Sequence, residues 1–123
     1  MRGETGRAGE EQACSVLAGK NWEILGRNWR TRRGEIDIIA RDGDTLVFVE
    51  VKTWPHGQEA DLELVIGAAK RKRMVETAKC FLDTHRQYSG MYVRFDVFLI
   101  SSDPLAGGSV RYRHLKDAIS ERV

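Results

Sequence analysis

"GEIDIIARDGDTLVFVEVKTW", Gly34 to Trp54, is the stretch that decides how this chain is read. Apolar, largely β-branched residues flank Arg41-Asp42-Gly43-Asp44, and Asp-Gly tolerates the positive φ of a tight turn. The pattern predicts a hairpin, with one strand over Gly34–Arg41 and the next over Thr45–Trp54. Strand side chains alternate between faces. Val47, Val49 and Val51 fall on one face of the second strand, and Phe48, Glu50, Lys52 and Trp54 on the other. In the first strand Ile36, Ile38 and Ala40 share a face, and Glu35, Asp37 and Ile39 share the opposite one. Folding back at the turn sets Asp37 opposite Val49 or Glu50. Asp37 and Glu50 therefore converge near one end of the hairpin. Lys52 lies just beyond, about 6–7 Å from Glu50 by the rise per residue.

Two carboxylates held close together repel, and burying them is costly. A hard divalent cation removes both difficulties. Mg²⁺ takes one or two carboxylates together with waters and phosphate oxygens, and a nearby lysine adds positive charge where a transition state gathers negative charge. Glu-x-Lys alone is a weak signal, because such pairs are common on exposed strand faces. The apolar setting strengthens it, since Val47-Phe48-Val49-Glu50-Val51-Lys52 contains no other polar residue.

Working outward, residues Thr5 to Lys20 carry Ala8, Ala13, Val16 and Leu17 on roughly one side of a predicted helix, with Gly19 and Asn21 as stop signals. Trp22–Thr31 reads as a first strand. Beyond the hairpin, Pro55–Asp61 reads as a loop, and Leu62–His85 as a long helix with Val65, Ala68, Ala69, Val75, Ala78, Phe81 and Leu82 recurring at three and four. Tyr92–Ser101 reads as a fourth strand, Ser109–Arg113 as a short fifth, and His114–Arg122 as a short terminal helix. A helix joining the third strand to the fourth suits a parallel crossover. The expectation is one α/β domain over residues 1–123, with a mixed sheet of about five strands.

The chain has 123 residues, of which 41% are hydrophobic and 31% charged, enough to build a core without staples. No apolar run reaches the ~20 residues that span a bilayer. The polar start, Met1 to Gln12, reads as lacking a secretory signal. Cys14 and Cys80 lie far apart and read as buried free thiols, which favours the cytoplasm. Net charge is +2, so position matters more than sum. Arg27, Arg30, Arg32 and Arg33 crowd the approach to Asp37, and Lys70 to Arg73 form a second basic run. Both runs read either as phosphate contacts or as solvated faces. Lys70 and Arg73 are three positions apart and project from one helix face. Asp96 reads as structural, paired with Arg94 or a helix terminus, and His56, His85 and His114 read as surface or loop histidines without metal-ligand spacing.

Gly34-Glu35-Ile36-Asp37, followed by Glu50-Val51-Lys52, resembles the PD-(D/E)xK nuclease signature. Nearly the whole chain resembles the YraN family of predicted endonucleases, which are similar to archaeal Holliday-junction resolvases. The resemblance is carried by "GEEQA" with Glu10, "ILGRNWRTRRGEIDIIARDGDTLVFVEVKTW", "KRKRMVETAKCFL" and "VRFDVFLI". Trp54 departs from it, since the family commonly has Arg after Val-Lys-Thr; a tryptophan there could stack on a base. The resemblance implies a restriction-endonuclease-like core with helices on both faces of the sheet. It implies Asp37 and Glu50 as catalytic acids and metal ligands, the Val51 carbonyl as a further ligand, and Lys52 as the residue that orients water or steadies the transition state. Glu10 would complete the acidic cluster, the alternative being a solvated helix residue. Arg30, Arg32, Arg33, Lys70 and Arg73 would contact nucleic acid. The expected activity is Mg²⁺-dependent (or Mn²⁺-dependent) hydrolysis of DNA, on branched or damaged structures, by a protein that resolvase similarity hints is a homodimer. The rival expectations are a non-catalytic nucleic-acid-binding or adaptor module on a nuclease scaffold, and an RNA-processing nuclease.

Overall fold

The computed structural model describes residues 3–53 and 66–119. Helix α1 spans Glu4–Gly19, strand β1 Glu23–Arg30, β2 Glu35–Asp42 and β3 Thr45–Thr53. Helix α2 spans Ala68–Thr84, a 3₁₀ turn follows at Arg86–Tyr88, then β4 spans Tyr92–Ile100 and β5 Tyr112–Leu115. The five strands form one sheet in the order β1-β2-β3-β4-β5. β1, β2 and β3 pair antiparallel, β3 and β4 parallel, and β4 and β5 antiparallel. This is a mixed-sheet α/β fold consistent with a restriction-endonuclease-like core.

The hairpin forms because Gly43, the first residue of a two-residue loop, takes φ 61°, so that Asp42 pairs with Thr45. That register continues through Ile39 opposite Phe48 to Ile38 opposite Val49. It carries Asp37 to the level of Glu50. From Ile38 onward the faces separate as the alternation predicts; Ile36, expected to share a face with Ile38 and Ala40, packs instead in the α2-side core, below the Ile38–Val49 pair where the β2–β3 pairing ends. Ile39, Leu46 and Phe48 pack with Met74, Val75, Ala78 and Phe81 of α2, while Ile38, Ala40, Val47, Val49 and Val51 pack with Ala13, Cys14 and Leu17 of α1. Both faces of β2 and β3 are covered, which explains their near-continuous apolar runs.

Helix α1 ends by a Schellman-type closure. Asn21, at φ 67°, donates its N–H to the Ala18 carbonyl, and Trp22 donates to Leu17. The turn drops Trp22 into the α1-side core. Gly9 sets the height of the other end of the helix: an added Cβ there would lie 2.1 Å from Thr53 Oγ1.

Several expectations change in detail. The long helix begins at Ala68, after Gly67 in extended conformation, and residues 62–65, like Trp54 and His56, lie outside the described residues. The fifth strand is Tyr112–Leu115, later than expected, and His114–Ile119 is not helical. Asp96 is the cause. Wholly buried on β4, it accepts hydrogen bonds from the His114 ring at 2.7 Å and from the Asp117 N–H at 2.9 Å. Ala118 N–H donates to the Phe95 carbonyl. These bonds hold the segment against β4 as the end of a strand followed by a turn at Lys116–Asp117, beyond what helix propensity could offset. Nor is His114 a surface residue, since its side chain is 5% exposed. His85 is half-buried and stacks on Phe81 with ring centroids 4.0 Å apart.

Candidate active site

The C-terminal end of β3 opens into a cleft of about 610 Å³. Val51, Lys52 and Thr53 line it from β3, Glu35 and Asp37 from β2, and Arg30 from β1. Gly3, Thr5, Gly6 and Glu10 line it from α1, and Lys70 enters from the first turn of α2. The start of α1 therefore faces the cleft, where the partial positive charge of a helix N-terminus favours anions. An adjoining hollow of about 270 Å³ is lined by Gly34, Glu35, Asp37, Glu50, Lys70, Arg73 and Met74.

Three acids lining the cleft are buried: Glu10, Asp37 and Glu50 are 8%, 8% and 5% exposed. Asp37 is held by the sheet itself, its Oδ2 accepting the Val51 N–H at 2.8 Å. A side chain thus receives a backbone donor at the end of the β2–β3 pairing, and the bond locks the carboxyl beside Glu50. Glu50 forms an ion pair with Lys70. Burial, then the neighbouring charge of Asp37, push the Glu50 carboxyl up to about 7, against the pull of Lys70. Among the described residues, no three His, Cys, Asp or Glu side chains gather as a ready-made metal cage. Asp37 and Glu50 are nonetheless hard oxygen donors in a pair, the protein contribution Mg²⁺ usually takes before water and phosphate complete its shell.

The structure brings Glu10, Arg30, Asp37, Glu50, Val51, Lys52 and Lys70 to one cleft, and Arg73 to the hollow beside it. Arg32 and Arg33 lie outside both linings, exposed on the β1–β2 turn, with Arg33 3.6 Å from Glu76. Arg30 donates to Glu35 at 2.8 Å. Sequence reasoning passed over Glu35 as a cleft residue, though its position two before Asp37 on the same strand face was a usable signal. It also missed the Lys70–Glu50 pair, which joins positions in different elements and has no local signature.

The family model described as "Uncharacterised protein family UPF0102" matches residues 9–100. The chain belongs to the UPF0102 family. A UPF0102 protein of Treponema denticola is 44% identical over 123 residues, covering 94% of this chain and 95% of that one. A UPF0102 protein of Treponema pallidum is 47% identical over 118 residues, covering 96% and 94%. One from Pseudomonas aeruginosa is 38% identical over 99 residues, covering 80% and 79%. UPF0102 is the YraN family that the sequence resembles. The span matched by the UPF0102 model runs from α1 to the end of β4 and so includes Glu10, Asp37, Glu50, Lys52 and Lys70. No helix among the described residues is long and apolar enough to cross a membrane.

Proposed function

We propose that this protein is a divalent-metal-dependent endonuclease that hydrolyses DNA phosphodiester bonds, with branched or damaged DNA as its substrate. The observation that carries the reading is a pair of buried, mutually repelling carboxylates, Asp37 and Glu50, opening on a cleft lined by basic side chains. A buried acid pushed up to about 7 is an arrangement that favours a bound cation, and perturbed acids of this kind concentrate at functional sites.

Asp37, Glu50 and the Val51 carbonyl would hold Mg²⁺ or Mn²⁺, with Glu10 facing the same cleft. When bound, such an ion polarises a phosphoryl oxygen and lowers the pKa of water. The side chains supply the rest. The Val51 N–H fixes Asp37, so one acid is oriented before any ligand arrives. Lys52, exposed on the same strand face as Glu50, would steady the attacking water and the negative charge that gathers on the phosphate. Arg30, Lys70 and Arg73 would hold the DNA backbone by charge, so binding should weaken steeply with salt.

The test compares wild type with Asp37→Asn and Glu50→Gln on a branched DNA, with Mg²⁺, with Mn²⁺ and with chelator. Cleavage only with metal, reduced by about a hundredfold or more in each variant while DNA binding persists, is the expected result. If all three proteins bind DNA and none cuts it, the site is not catalytic and the protein is a binding module.

A further inference from the structure

We propose that Lys70 occupies the cation position at Glu50 in the metal-free protein and yields it when a divalent ion loads, so that one side chain couples metal occupancy to phosphate contact. The inference rests on the metal-dependent reading above and adds a role for this residue. The Lys70 ammonium is paired with Glu50 Oε2, an oxygen of a side chain that is only 6% exposed. An ion that coordinates this oxygen brings a second positive charge against the ammonium at close range, and the repulsion drives the ammonium away.

The lysine is built to move. Its side chain is 36% exposed, and it reaches the buried carboxylate from the first turn of α2 on a flexible four-carbon stem. The hollow beside the cleft, lined by Gly34 and Arg73 among others, gives the displaced head room without leaving the site. A lysine freed there stands among the groups that would face a phosphate. Lys52 differs, being already exposed on its strand. The two cleft lysines thus divide the work: Lys52 is available throughout, and Lys70 only after the cation has taken its place.

The experiment titrates Mn²⁺ alone into metal-free wild type, Lys70→Met, Lys70→Arg and Glu50→Gln, read by calorimetry and by the Mn²⁺ spin-resonance signal, without DNA. Removing the competing charge should tighten Mn²⁺ binding by about tenfold in Lys70→Met, while Lys70→Arg keeps the wild-type affinity and Glu50→Gln loses it. At saturating Mn²⁺, Lys70→Met should cut branched DNA more slowly than wild type, the sign opposite to its metal affinity. If wild type binds Mn²⁺ and Lys70→Met binds it equally or more weakly, the competition does not exist and this inference fails alone. If neither protein binds Mn²⁺, the metal-dependent reading fails with it. Should Lys70→Met fail to fold, Lys70→Gln carries the same measurement with the same outcomes.

Discussion

Asp96 and Glu50 sit almost side by side in the parallel β3–β4 pairing, where Asp96 aligns with Val49 and Glu50 with Val97. Both are buried, and they point to opposite faces of the sheet. Around Asp96 everything is matched. Arg94 donates to its two oxygens at 2.8 and 3.0 Å, and the His114 ring and the Asp117 N–H complete the set. Burial pushes that carboxyl up, but the hydrogen bonds from His114, Arg94 and Asp117 outweigh it and hold Asp96 below the usual range. Around Glu50 the balance runs the other way, with burial and Asp37 prevailing over Lys70. The first arrangement fastens the C-terminal strand to the sheet. The second keeps a buried charge unstable, which the fold does not need and the proposed metal site would use.

The comparison breaks first at Asp96. Asp96→Asn leaves Arg94, whose side chain is 20% exposed, beside a neutral amide. Removing one member of a buried ion pair costs about 3–5 kcal/mol, and the low end applies because Arg94 also lies 3.8 Å from Asp42. Urea unfolding at pH 7 should show a loss of about 3 kcal/mol. A loss under about 1 kcal/mol, in the range of surface substitutions, would mean the network does not fasten β5.

Glu50 should behave with the opposite sign. Its folded value of about 7 exceeds the 4.5 of an unperturbed glutamate, so the folded protein holds the extra proton between those limits. Stability then falls as pH rises from about 4.5 to about 7 and levels off above, a total of about 3 kcal/mol for this group in metal-free protein. Glu50→Gln removes the fall, and roughly 2 kcal/mol of added stability at pH 8 is expected after Lys70 loses its partner. Unfolding curves of wild type and variant from pH 5 to pH 8 decide it. Parallel pH profiles would show that the Glu50 site carries no strain, and the contrast with Asp96 would vanish.

How much of this was legible follows from the range of each interaction. The faces of β3 and of β2 from Ile38 onward, and the convergence of Asp37 with Glu50, depend on period-two alternation and a turn at Gly43; Ile36, beyond the end of the β2–β3 pairing, escapes the alternation. Local sequence encodes both. The pairing of Asp96 with Arg94 lies within one strand and was equally readable. The partners that cross between elements were not. Lys70 meets Glu50 because α2 begins over the end of β3, and His114 meets Asp96 because β5 returns antiparallel to β4. The later placement of the fifth strand, Tyr112–Leu115 where Ser109–Arg113 was expected, has that cause as well: short polar stretches take their structure from what they dock against, and the dock here is a buried aspartate.

The remaining asymmetry lies in how α1 reaches the cleft. Its buried face carries Gly9 and Glu10 together, and a Cβ on Gly9 would meet Thr53 Oγ1 at 2.1 Å, Thr53 Cβ at 3.4 Å and Ile100 Cδ1 at 3.5 Å. Gly9→Ala gains about 1 kcal/mol of helix propensity, while the overlap forces the hydroxyl or the helix aside at about 1–3 kcal/mol. The net expectation is a loss of about 1 kcal/mol, smaller than the effects at Asp96 and Glu50, but with a sign that can be reversed. In a Thr53→Ala background the nearest atom is gone, and the same Gly9→Ala change should become neutral or stabilising. A double-mutant cycle by urea unfolding measures that coupling directly. Amide chemical shifts locate it: Gly9→Ala should move Glu10, Val51 and Thr53 at the cleft and leave His114 and Asp117 where they are. Shifts that spread equally to the Asp96 network would mean that the two regions are one mechanical unit, and that α1 bears on the fold as a whole rather than on the site.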